Sequence, residues 1–301
     1  MTIGSAVKQG LSIARRSGTA VWVLFLANLA LAALAAWPIY HGILDFTGQS
    51  LMSRTLLRGF STDWFTDFSL AHPGAWQSYA FTIANVGLLA IVVNSLLAGG
   101  VLAHFRTPEL PQGPVTFFRD AGRYSWRMIR LMFVGLIGYW LVFLATTQGL
   151  ERLVRHWKTE ALDDRPVFWL NLGISLLMLL GLVFVNMVMD YARVMLVWNE
   201  ETSAVAAFLA SLGFTLGRFR KVLTVYAIPS LLGIALLLLY RGITPWTQIQ
   251  SSLGAPAWSH LHQPVVLTLL FLGQQIIMWG RYWFRVATWA SEWSYRAGSS
   301  T

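Results

Sequence analysis

The stretch LNLGISLLMLLGLVFVNMVM, residues 170–189, runs for twenty residues without one ionisable side chain. A helix of that length crosses about 30 Å of hydrocarbon. In lipid the backbone must satisfy its own hydrogen bonds, which leaves only helices or closed barrels. LLMLLGLVFV lacks the period-two alternation of a barrel strand, so the run reads as a transmembrane helix. Comparable runs place six spans at about 20–40, 78–104, 128–148, 167–195, 222–240 and 264–286. Charged residues make up only 12% of the chain, against about 25% in soluble domains. The expected architecture is all-α, one polytopic transmembrane domain over residues 1–301.

Lys and Arg set the orientation. The N-terminus and the stretches 105–130, 193–221 and 281–296 hold 15 of the 22 basic residues. The positive-inside rule then puts both termini in the cytoplasm. Lys8, Arg15 and Arg16 precede the first run, but its full spanning length exceeds the core of a signal peptide. It is read as an uncleaved first helix. On the outer side, ERLVRHWKTEALDDR balances its cations with Glu151, Glu160, Asp163 and Asp164 and reads as a surface helix. VKQGLSIARR, VTFFRDAGRYSWR and VAAFLASLGFTLGRFRK each precede an outward-running helix. Three hairpins with a weak pseudo-repeat, each led by a short interfacial segment, account for this pattern.

Little here carries chemistry. The chain has no cysteine, which removes disulfides, thiolate metal sites and Cys nucleophiles. Phosphate-loop, zinc-protease and serine-nucleophile motifs are missing. His260 and His262 find no nearby acid to complete a metal site, and His41 and His104 fall on opposite membrane faces, so no metal, haem or other cofactor is expected. The net charge of +9 comes from arginines dispersed at span ends, which argues against a nucleic-acid partner. In STDWFTDF, Asp63 and Asp67 share one face of a helix whose rings suit the outer membrane surface.

The polar residues inside the spans are therefore the candidates. Asn28, Asn85, Asn94, Asn186, Gln274 and Gln275 must find partners in lipid. They serve either as interhelical hydrogen bonds or as the polar lining of a pocket, for which Asn94, Asn186, Gln274 and Gln275 are best placed. In NMVMDYARVMLVWNEE, Asp190 and Arg193 stand three apart on one helix face and can neutralise one another. Arg281, at the comparable point of the sixth span, could be a second partner, making an inner-face clamp between the fourth and sixth spans. An intramembrane acid also raises a proton- or ion-coupled role. Fifteen tryptophans fall mostly near span ends, as an aromatic belt does. The terminal stretch MWGRYWFRVATWASEWSYR, with Arg281, Arg285 and Arg296 between its rings, suits contact with anionic lipid headgroups or a partner.

NMVMDYARVMLV, with FFRDAGRYSWRMIRL and NSLLAGGVLAHF, resembles a family of uncharacterised bacterial six-helix integral membrane proteins with no assigned function. The resemblance implies a bacterial cytoplasmic membrane and a shared helical layout, with Asp190-Tyr191-Ala192-Arg193 its most recognisable element. The expected function is that of a non-catalytic accessory or scaffolding subunit. It would pack against lipid, a larger membrane complex or further copies of itself. The alternative is a small-solute or lipid transporter with a midplane pocket lined by the amides.

Overall fold

A computed structural model describes residues 2–48, 61–107, 113–150, 152, 154–155, 164–252 and 263–299. Among the described residues the chain is 92% helix with no strand, which settles helix over barrel. The α-helices among the described residues are, in order, α1 Ile3–Arg16, α2 Gly18–Thr47, α3 Thr62–Ala71, α4 Ala75–His104 and α5 Pro114–Leu144, then α6 Asp164–Trp198, α7 Ala204–Gly217, α8 Phe219–Ser252 and α9 Gln263–Ala297. Local chemistry sets several of their starts. Thr2, Ser61 and Ser203 cap α1, α3 and α7 by accepting the amides of Ser5, Trp64 and Ala206. Pro114 occupies the first position of α5, where no donor is lost. At the far end of α5, Ala145–Leu150 forms a π-helical turn. There the Thr146 and Thr147 hydroxyls donate to the carbonyls of Val142 and Phe143 in the preceding turn.

Among the described residues, five helices are long and apolar enough to cross a membrane: Gly18–Thr47, Ala75–His104, Pro114–Leu150, Arg165–Trp198 and Phe219–Gly242. They contain the first five expected spans. The expected sixth, 264–286, belongs to α9, which is not among those five. Only 22–39% of an apolar 18-residue stretch in each of the five is buried. What faces outward is hydrocarbon: Leu34, Leu88, Ile137, Leu180 and Leu238 are all more than half exposed. Inside, the chain buries Asp190, Glu292, Ser211 and Thr215. Apolar outside with polar inside inverts the pattern of a water-soluble protein and suits a lipid solvent.

The chain forms two compact units. The first comprises Met1–Ser17, Ser95–Pro229 and Val286–Thr301; the second comprises Gly18–Asn94 and Ser230–Arg285. In the first, Met187 and Tyr191 of α6 pack with Ala6, Val222, Val225 and Tyr295. Close helix approach depends on small residues. A Cβ at Gly99 would lie 2.9 Å from the Tyr124 Cβ, and one at Gly100 the same distance from the Phe117 carbonyl oxygen. Gly10 lets α1 lie directly on the backbone of Ser291 in α9. In the second unit, Phe46 meets Trp64 and Phe68 of α3, and Phe68 also contacts His72 and Trp76. Trp64 and Phe68 are buried in that aromatic cluster, whereas Asp63 and Asp67, four apart, are exposed.

Candidate functional site

The C-terminal third of α6 gathers a group of buried polar and charged residues in the first unit. Asp190 is fully buried, and its Oδ1 accepts from the Arg193 guanidinium at 2.6 Å and from the Trp289 indole N–H at 3.0 Å. One helical turn separates Asp190 from Arg193, so the pair forms as α6 forms. Trp289 comes from α9 and ties that helix to α6. Arg281 lies eight residues earlier in α9, about 12 Å along its axis from Trp289. From α7, the Ser211 hydroxyl donates to the Val188 carbonyl oxygen at 3.0 Å. Tyr191, Glu292 and Tyr295, each no more than 4% exposed, complete the cluster.

From Val286 to Tyr295 the terminal stretch is buried rather than surface-lying. Trp289, Trp293 and Tyr295 are buried in the first unit. Ala287, Ala290, Ser291 and Ser294 separate the rings, and these small residues admit neighbouring helices closely. Trp293 instead packs edge-on against Phe105 and Trp198. Of the three arginines, Arg281 is exposed while Arg285 and Arg296 are half-buried. The Arg296 guanidinium sits 5.3 Å from the Phe214 ring centre, within cation–π range.

Asn28, Asn94 and Asn186 are engaged across helices within their own units. In the second, Asn28 and Asn94 exchange two N–H···O bonds of 2.8 and 2.9 Å across α2 and α4. Each remaining N–H donates to the carbonyl four residues earlier, Leu24 or Ala90. All four amide donors are thereby satisfied. In the first unit, Asn186 accepts from the Tyr139 hydroxyl at 3.2 Å and donates to the Tyr226 hydroxyl at 2.7 Å. That chain links α5, α6 and α8. Asn85 is exposed and bonds its own helix at Phe81. Gln274 is exposed and Gln275 half-buried on α9.

A second charged group, absent from the sequence reading, closes the C-terminal end of α6. Glu200 adopts φ +52°, the left-handed conformation that usually goes to glycine after a helix. Its carboxylate pairs with Arg106 and, at 3.3 Å, with Arg123. Arg127 donates to its carbonyl oxygen at 3.1 Å. Arg106 also donates to the carbonyls of Val197 and Trp198, which the helix itself leaves open. The hydrogen bond from Arg106, then its charge, holds the Glu200 carboxyl below its ordinary range. The four-residue spacing of Arg119, Arg123 and Arg127 ahead of the acidic NEE segment was the available signal.

Asn28 with Asn94, Asn186 with Tyr139 and Tyr226, Asp190 with Trp289, and Glu200 with Arg106 and Arg123 each join separate segments through paired donors and acceptors. Among the described residues, no group of three or more His, Asp or Glu side chains converges as a metal site. Glu151, Glu160, Asp163, His260 and His262 lie outside the described residues. No family model matches the chain, nor does any curated protein or solved structure.

Proposed function

We propose that this is a non-catalytic multi-pass membrane protein, an accessory or scaffolding subunit of a bacterial inner membrane. The supporting observation is how its intramembrane polar groups are used. Asn28 with Asn94, Tyr139 with Asn186 and Tyr226, and Asp190 with Arg193 and Trp289 each join helices. In the transporter alternative, Asn94 and Asn186 would present free donors to a solute. Both N–H groups of Asn94 are already engaged. In this reading α9 supplies the sixth span, both termini are cytoplasmic, and three hairpins are introduced by α1, the first turns of α5, and α7. Asp190 with its partners then clamps the inner ends of the fourth and sixth spans.

Isolation from native membranes in mild detergent, with crosslinking before lysis, tests the assignment. A stoichiometric complex with one defined membrane protein or with a second copy is expected. A lone protein that moves solutes across proteoliposomes would overturn it.

A further inference from the structure

A groove of about 480 Å³ opens between α5 and the start of α7, with Arg130, Phe133, Thr202, Ser203 and Val205 among its walls. The other arginines nearby are committed: Arg106, Arg123 and Arg127 hold Glu200 and the end of α6. Arg130 is three residues beyond Arg127, packed 5.8 Å over the Trp126 ring. Its Nε is buried and makes no hydrogen bond to a described residue.

The surroundings say what such a cation would meet. Helix α7 is fourteen residues long, about 21 Å, too short to span. It exposes Val205, Leu209 and Leu216 while burying Ser211 and Thr215. In water that polarity would be inverted; at the boundary of headgroups and acyl chains it is the stable arrangement. On α5, the exposed stripe continues past Phe133 to Ile137 and Trp140. The groove thus combines a cation and two hydroxyl-bearing residues with apolar walls from Phe133 and Val205, beside a hydrocarbon-facing stripe on α5.

We propose that this groove seats one anionic phospholipid, its phosphate on Arg130 and its acyl chains along Phe133 and Val205. The inference rests on the membrane placement above and adds the ligand. A phosphate joined to hydrocarbon uses both the arginine and the apolar walls, whereas free phosphate uses only the arginine.

Native mass spectrometry of the full chain in mild detergent, titrated with phosphatidylglycerol, tests it. Wild type should retain one phosphatidylglycerol. Arg130→Gln should lower its retention about tenfold, the loss of one charge-assisted contact. Arg130→Lys should restore part of it, and Arg220→Gln, at an exposed arginine past α7, should leave it unchanged. Val205→Gln changes only an exposed wall residue and should also weaken retention, which guards against misfolding of the arginine variants. Equal loss in Arg130→Gln and Arg220→Gln would mean diffuse charge attraction and overturn the seat. So would full retention by Arg130→Gln, or displacement of the lipid by millimolar inorganic phosphate. Carbonate extraction separates the levels: a protein that stays in the membrane without a retained lipid loses the seat alone. One stripped by carbonate loses the membrane placement as well.

Discussion

Asp190 and Glu200 sit ten residues apart at the same end of α6, and both meet arginine, yet they do different physical work. Asp190 is fully buried, bonded to Arg193 and Trp289. Glu200 lies at the rim with its side chain 46% exposed, shared by Arg106 and Arg123. A charge taken out of water is destabilising unless its partners remain in place. A charge left in water gains little from pairing, because solvent already stabilises it. The buried group therefore fixes how α6 meets α9, whereas the rim group trims the end of one helix.

The sharpest way to break this comparison is Asp190→Ala. It strands Arg193, whose side chain is only 17% exposed, and removes the acceptor of the Trp289 indole. Loss of one partner from a buried pair costs about 3–5 kcal/mol. The remaining access of Arg193 to solvent places the expectation near about 3 kcal/mol. SDS-induced unfolding in mixed micelles, followed by circular dichroism, measures it. Asp190→Asn keeps an acceptor in place and should lose less. Should Asp190→Ala unfold like wild type, Asp190 is not a structural clamp.

Trp289→Phe comes next. The ring volume is largely kept and Asp190 retains Arg193, so the loss is one buried hydrogen bond, about 1–2 kcal/mol. Near-wild-type stability would mean that the contact between α6 and α9 rests on packing alone. The amide pair of the second unit offers an uncharged counterpart. Asn94→Leu leaves Asn28 with its Leu24 bond and no cross-helix partner, for an expected loss of about 0.6–2 kcal/mol. If Asn28→Leu/Asn94→Leu together cost no more than either alone, the two residues act as one unit; additive losses would show that they do not.

These elements differ in how much of them the sequence disclosed. Asp190–Arg193 was legible because both residues lie on one helix turn, where spacing alone dictates contact. Trp289 was not: it stands 99 positions from Asp190, in a stretch whose rings and arginines resemble a membrane-surface helix. Small residues, Gly10 against Ser291 above all, turn that stretch inward, and composition does not reveal which neighbour will come close. The intramembrane amides were recognisable as needing partners, since unpaired ones are unstable in lipid. Which partners they take, Asn28 for Asn94 but two tyrosines for Asn186, depends on helix rotation that hydropathy leaves open. Five spans were plain from run length. The expected sixth, 264–286, lies in α9, outside the five helices of that length and apolarity among the described residues.

The smallest expected effect is at Glu200, and pH reveals it. The carboxyl is held below its ordinary value of 4.5 by Arg106 and then Arg123. A group with a lowered folded-state pKa favours the folded state above its unfolded value, and that contribution fades as pH falls through the folded one. The stability difference between wild type and Glu200→Gln should therefore be constant from neutral pH down to about 4.5 and vanish in stronger acid. Because the carboxylate is solvent-exposed, the difference should also shrink in high salt. Asp190→Asn, compared with wild type in the same salt series, should hold its difference, since a pair without water is screened far less. If both differences collapse together in salt, the contrast between a buried clamp and a solvated rim is wrong, and Asp190 lies within reach of water.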